Sequence, residues 1–267
     1  MTETEPTTTS ETGPTATPRV VLVTGGSKGI GLACARAFLA EGARVVIVSR
    51  DRTNLDKAAA ELPQVETIMA DLTREADAMR MVDEAAQLGP VDVLVNSAGA
   101  AKRYPPDQLT ARAWHKAMDA KYFTYIHAMD AVLPSMRERG RGAVVNIIGT
   151  GGKVATPIHL PGGAANAALM LASTGLASVY GKYGVRVNAI NPGATMTERI
   201  REALELEARA KGVSADQVLN EGQARVPLGR YADPDDIAQV ALFLASDRAA
   251  YVTGAIVPMD GGLNPVI

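Results

Sequence analysis

Two kinds of residue in this chain are suited to chemistry. The first is a glycine-rich turn, Thr24-Gly25-Gly26-Ser27-Lys28-Gly29-Ile30-Gly31. Glycine lets a backbone approach a phosphate with no Cβ in the way. A helix opening there aims unpaired N–H groups and its positive end at the phosphate. Such a turn binds a dinucleotide, although a tight strand-to-helix turn has the same spacing. The second kind is titratable. Lys121 falls in a helix that otherwise faces a core, and a charge is seldom buried without a partner. His159 lies in a proline-containing loop, and imidazole moves protons near neutral pH. Thr150, in the same loop, offers a hydroxyl. His, Asp and Glu show no metal-ligand spacing, so no metal is expected.

These groups need a frame, and the apolar runs describe one. Val20–Val23 reads as a buried strand leading into the glycine turn, and Ile30–Ala40 as the helix leaving it. Further strands are expected at Arg44–Ser49, Val65–Ala70, Val91–Asn96, Ala143–Ile148, Val185–Ile190 and Ala255–Pro258. Helices are expected at Asn54–Leu62, at Thr73–Leu88 with Thr73 as N-cap, at about Thr110–Arg139, at Gly163–Lys182 and from Asp233-Pro234 to Ser246. The segment 198–222 reads as two polar helices split by Gly212. Near-continuous apolar strands alternating with helices predict an α/β fold, a doubly wound parallel sheet of about seven strands with helices on both faces. Residues 19–267 are expected to form one domain, since no linker interrupts them. Residues 1–18, rich in Thr, Glu and Pro, read as a disordered tail. Ligands of such sheets bind beyond the carboxyl ends of the strands. That rule gathers Thr24–Gly31, Ser49-Arg50, Asp71, Asn96–Gly99, Gly149–Gly152 and Pro192–Thr197 on one rim.

Composition narrows the function classes. Of 267 residues, 47% are hydrophobic, enough for a sizeable core. The net charge of −2 gives no electrostatic case for nucleic acid or an anionic membrane. No apolar run approaches the roughly 20 residues of a membrane helix, and the N-terminus has no secretory pattern. A cytoplasmic protein acting on a small molecule is expected. The one cysteine, Cys34, excludes an internal disulfide and reads as a small buried residue of the first helix.

Over about Arg19 to Gly262 the chain resembles the short-chain dehydrogenase/reductase family. The resemblance rests on Thr24-Gly25-x-x-x-Gly29-x-Gly31, Asp71, Asn96-Ser97-Ala98-Gly99, Val187-Asn188-x-Ile190-x-Pro192-Gly193 with Thr197, and the closing Thr253-Gly254 and Asp260-Gly261-Gly262. It implies a Rossmann-like domain, a nicotinamide cofactor and a homo-oligomer, a dimer or tetramer. The cofactor set it implies is Thr24, Gly25, Ser27, Lys28, Gly29, Ile30, Gly31, Ser49, Arg50, Asp71, Leu72, Asn96, Ala98, Gly99, Lys121, Pro192, Gly193 and Thr197. Charge then selects the cofactor. An acid at the end of the second strand would take the ribose hydroxyls and repel a 2′-phosphate. Ser49 and Arg50 stand there instead, with Lys28 in the turn, which favours NADP(H) over NAD(H).

The chain departs from the family where hydride chemistry needs a proton. The resemblance implies a Tyr, a Lys four residues later, a Ser about thirteen before the Tyr, and an Asn in the long helix. Those slots hold Gly162, Asn166, Gly149 and Lys121. Lysine and asparagine have changed places, so Lys121 and Asn166 are expected to face one another. His159, three residues before the vacant Tyr slot, and Thr150, beside the vacant Ser slot, complete a candidate catalytic set of Lys121, His159, Asn166 and Thr150. The expected activity is an NADP(H)-dependent oxidoreductase acting on a carbonyl or alcohol, with residues 198–222 as a substrate lid. A non-catalytic nucleotide sensor or scaffold, or a non-redox enzyme such as a dehydratase or cyclase, are the competing readings.

Overall fold

The computed structural model describes residues 18–99 and 101–265. The predicted tail therefore lies outside the described residues, apart from Pro18.

Seven strands form one parallel sheet in the order β3-β2-β1-β4-β5-β6-β7. They are β1 (Val20–Thr24), β2 (Arg44–Ser49), β3 (Glu66–Met69), β4 (Val91–Asn96), β5 (Gly142–Ile147), β6 (Val185–Pro192) and β7 (Ile256–Met259). This is the Rossmann-like, doubly wound architecture that the alternating pattern predicted. Strand periodicity explains the two-sided core, because successive side chains point to opposite faces. Val20 and Leu22 join one apolar cluster, with Met81, Met129, Leu133 and Leu169. Val21 and Val23 join the other, with Ala33, Cys34, Phe38, Ile237 and Leu244. Each fully buried aliphatic side chain contributes roughly 1.5–3 kcal/mol. Strand order reverses between β1 and β4, and a crevice opens at that switch point.

The helices on one face are α1 (Gly29–Ala40) and α9 (Pro234–Ala245), which pack against each other. On the other are α3 (Glu75–Ala85), α5 (Thr124–Arg139) and α6 (Leu160–Gly181), while α2 (Arg52–Glu61) follows β2. Cys34 is fully buried in α1 as expected, and burial pushes its thiol up to about 12.

Three local expectations need correction. Thr73 does not cap a helix: its hydroxyl and its backbone N–H both donate to Asp71 Oδ1, and α3 opens at Glu75. The loop after β5 is not wholly irregular, since Thr150–Gly152 and Pro157–His159 are 3₁₀ turns and α6 opens at Leu160 rather than Gly163. The long helix over Thr110–Arg139 is not continuous α-helix. α4 (Ala111–Ala117), capped by Thr110, gives way to a π-helical turn at Met118–Phe123 before α5 begins. Single π turns inside helices are rare and are found frequently at functional sites. Lys121 is in this one. Beyond β6, α7 (Glu198–Lys211) and α8 (Ala215–Gln223) form the predicted polar pair, broken at Gly212 with φ +70°.

Candidate active site

The carboxyl ends of the strands enclose a cleft of about 690 Å³. Fifteen of the cofactor candidates line it: Gly25, Ser27, Lys28, Gly29, Ile30, Ser49, Arg50, Asp71, Leu72, Ala98, Gly99, Lys121, Pro192, Gly193 and Thr197.

Its floor is the glycine turn. Gly25 has φ +66°, and a Cβ there would come within 2.8 Å of the Ala98 backbone. Gly29 has φ +57°, and the side chain of Thr197 lies 3.3 Å from the position its Cβ would take. The turn is pinned to β2 by Gly25 N–H donating to Val48 O at 2.8 Å. Lys28, the N-cap of α1, makes no side-chain cap, so the first-turn N–H groups of α1 are not spent on it. A cradle closed to any Cβ, with uncapped donors at a helix start, fits a dinucleotide's phosphates.

The remaining three candidates do not line the cleft; they hold it in shape. A Cβ on Gly31 would lie 2.3 Å from Gly25 O, so Gly31 allows α1 to sit against the turn. Thr24 and Asn96 are fully buried. Thr24 Oγ1 donates to Asn96 Oδ1 (3.2 Å) and accepts the N–H groups of Ser97 and Ala98. Asn96 Nδ2 donates to Asn146 Oδ1 (2.9 Å), and Asn146 Nδ2 to Ser173 Oγ (2.9 Å). This buried chain ties β1, β4, β5 and α6 together beneath the site.

At the end of the cleft beside β2 stand Ser49, Arg50 and Lys28. Asp51 also lines the cleft, but its carboxylate caps α2 by accepting Asn54 N–H at 3.0 Å. Asp71 turns its Oδ1 to Thr73, and its backbone N–H donates to Asp77.

At the other end, Lys121 is 7% exposed. Its Nζ donates to Tyr125 Oη at 2.7 Å and to Ile147 O at 3.1 Å, and Tyr125 Oη donates to the same carbonyl. Burial, then the nearby Arg199 guanidinium, pushes Lys121 down to about 7. Burial pushes the Tyr125 phenol up. The expected pairing of Lys121 with Asn166 is not made as a hydrogen bond, because Tyr125 and the end of β5 lie nearer the ammonium.

Thr150, His159 and Asn166 do not line the cleft. Thr150 is half-buried and opens the first 3₁₀ turn. Asn166 is buried, and its Nδ2 lies 3.3 Å from the position a Cβ on Gly149 would take, where φ is +132°. His159 is half-buried, with its ring against the Gly162 backbone. A Cβ on residue 162 would fall 2.2 Å from His159 Cε1 and 2.4 Å from Nε2. His159 Nδ1 is buried with no hydrogen-bond partner among the described residues. Burial, Arg103, Arg199 and Lys121 all hold this imidazole below the usual histidine range.

Two residues of the site are not singled out by the sequence. Tyr125 reads there as one more apolar-face aromatic, although residues four apart on a helix share a face and Lys121 is four residues before it. Arg199, on the cleft wall at the start of α7, is one charge among many in a polar segment and carries no signal of its own.

Known proteins give this arrangement a context. A family model described as enoyl-(acyl carrier protein) reductase matches residues 25–264. The chain is 34% identical over 252 residues to 2-(S)-hydroxypropyl-CoM dehydrogenase 3 of Xanthobacter autotrophicus, covering 92% of this chain and 97% of that protein. A variant of actinorhodin polyketide ketoreductase solved with NADPH superposes with a TM-score of 0.87 at 30% identity, over 92% of this chain and 97% of the other. An oxidoreductase of Burkholderia thailandensis, titled as one of the short-chain dehydrogenase/reductase family, superposes with a TM-score of 0.82 at 37% identity, over 94% of each chain. Among the described residues no helix is long and apolar enough to cross a membrane, and no group of three or more His, Cys, Asp or Glu could hold a metal.

Proposed function

The chain belongs to the short-chain dehydrogenase/reductase family, and from that premise we propose that it is an NADP(H)-dependent oxidoreductase of a carbonyl or alcohol with a relocated proton-transfer group. The observation that carries the reading is the ring of His159. It sits where the Cβ of a side chain on residue 162, the family's tyrosine slot, would start. In this reading a histidine beside the vacant slot supplies the proton in place of the tyrosine.

The cradle of Gly25, Ser27 and Gly29 would hold the cofactor's pyrophosphate. Lys28 and Arg50 would hold a 2′-phosphate, Asp71 and Leu72 the adenine, and Ala98, Gly99 and Lys121 the nicotinamide half, closed over by Pro192, Gly193 and Thr197. NADPH in a related ketoreductase supports the cofactor choice, as do Ser49 and Arg50 where an acid would select NAD(H). When bound, the cofactor supplies or accepts a hydride at the substrate carbon. His159, held neutral by burial and cationic neighbours, takes the hydroxyl proton of an alcohol and returns it in the reverse direction. Thr150 and Asn166 orient the substrate oxygen. Lys121 orders the ribose. Residues 198–222 act as the substrate lid.

Fluorescence titration with NADPH and NADH, followed by a screen of aldehydes, ketones and quinones, tests this. NADPH should bind more tightly, and Arg50→Asp should weaken it about tenfold or more, the size of a lost charged hydrogen bond. His159→Ala should lower turnover about 10²-fold or more. Tight NADPH binding without turnover on any substrate would instead identify a nucleotide sensor.

A further inference from the structure

Lys121 is held in an unusual way for a cleft-lining lysine. The π turn at Met118–Phe123 widens the helix there, and Thr124 Oγ1 donates to the Lys121 carbonyl at 2.8 Å. Gly99, on the loop after β4, fits tightly over the same turn: a Cβ there would lie 2.2 Å from Ala120 O. The lysine backbone is thus clamped between the two. The side chain reaches the Ile147 carbonyl, one residue past the last paired rung of β4 and β5, Asn96 with Asn146. Tyr125 is fully buried, its ring centroid 4.3 Å from the ammonium. Its hydroxyl points its proton at Ile147 O and its lone pair at Lys121 Nζ.

We infer that Tyr125 is the positioning residue of the site: its hydroxyl, anchored on the Ile147 carbonyl, holds the Lys121 ammonium in place and sustains its charge. The inference rests on the reading of Lys121 as an active-site group. An ammonium has three donors. Tyr125 and Ile147 take two, which leaves one for the cleft that Lys121 lines. Without the phenol, the ammonium keeps one acceptor in a site that already penalises charge. The charged and titratable groups around it are Tyr125 on α5, Arg199 at the start of α7, and His159 before α6. Neither Arg199 nor His159⁺ would stabilise the ammonium, and no carboxylate is among the groups that shift it. The Tyr125 oxygen and the Ile147 carbonyl are therefore its support.

The test needs no turnover. In protein labelled with ¹³C at lysine Cε and tyrosine Cζ, Lys121 is assigned by its loss in Lys121→Met and titrated by NMR without ligand. Its midpoint should lie near neutrality and fall by about one pH unit or more in Tyr125→Phe, because a hydrogen bond to a charged group favours the charged form. The alkaline limb of kcat/KM should move with it, and Tyr125→His should restore part of the loss. An unmoved midpoint in a folded Tyr125→Phe variant would reduce Tyr125 to core packing. If that variant does not fold, the wild-type protein decides: the Tyr125 Cζ resonance must move through the same midpoint as Lys121 Cε, and independent behaviour overturns the proposal. Failure of the NADPH titrations leaves this measurement intact, so the two readings fail separately.

Discussion

A single lysine carries the sharpest physical consequence of this structure. Free lysine titrates near 10.5, and burial beside Arg199 pushes Lys121 down to about 7. Below pH 7 it is charged in both folded and unfolded chains, and the folded chain bears the whole burial penalty. Above 10.5 it is neutral in both, and the penalty vanishes. Between those limits the unfolded state binds the extra proton, so stability rises with pH. The penalty is on the order of a few kcal/mol, since each tenfold change in proton affinity is worth about 1.4 kcal/mol. Lys121→Met should therefore gain stability relative to wild type at pH 6–7, and the gain should shrink steadily toward pH 10. Paired thermal melts across that range check it. A difference independent of pH would mean that the ammonium is not desolvated. His159 shows the same logic in a weaker form, since its neighbours are cationic and its Nδ1 has no partner among the described residues.

At the scale of elements, the site depends on strand ends that are tied together out of sight. Thr24, Asn96, Asn146 and Ser173 form one buried polar chain running from β1 to α6. Ser173 Oγ in turn donates to Leu169 O, so its hydroxyl proton is already committed and it needs the Asn146 amide as donor. Asn146→Ala would orphan the Asn96 amide and the Ser173 oxygen together. Each orphaned buried group costs about 1–3 kcal/mol, so the variant should lose about 2–6 kcal/mol in denaturant unfolding. Its NADPH affinity should fall as well, because Thr24 sets the loop carrying Ala98 and Gly99. A loss below about 1 kcal/mol, less than one orphaned group, would show that the chain is not cooperative. The π turn belongs at this scale too. The sequence around Lys121 reads as unbroken helix, while the structure shows one wide turn there with Gly99 and Thr124 against it.

At the scale of the whole molecule, the parallel sheet brings six separate stretches to one rim, and α7 lies along its edge. Arg199, Ile200 and Glu202 line the same cleft as the glycine turn, so a dinucleotide filling the cleft meets the start of the polar helical pair. Saturating NADPH should slow amide hydrogen exchange in residues 198–211 several-fold while leaving α9 unchanged. Equal exchange with and without NADPH would remove this segment from the binding event and from the role of lid. α7 and α8 carry mostly exposed ion pairs, such as Arg209 with Glu205 and Lys211 with Glu207. Each contributes little, about 0–1 kcal/mol, which suits the lid role proposed for this segment.

The amino-acid sequence determined the sheet, its two-sided core and the rim that carries the cofactor candidates. These follow from short-range rules: strand periodicity, helix stops, and glycines where no Cβ fits. That Gly149 and Gly162 stand in the family's Ser and Tyr slots came from the resemblance, not from those rules. What packs beside them was not legible. That the His159 ring lies against Gly162, that Lys121 turns to Tyr125 and the Ile147 carbonyl rather than Asn166, and that Thr24, Gly31 and Asn96 support the cleft rather than line it are decided by how the folded elements pack. Spacing along one strand or helix orders its own side chains, but it holds no information on what an adjoining element places against them.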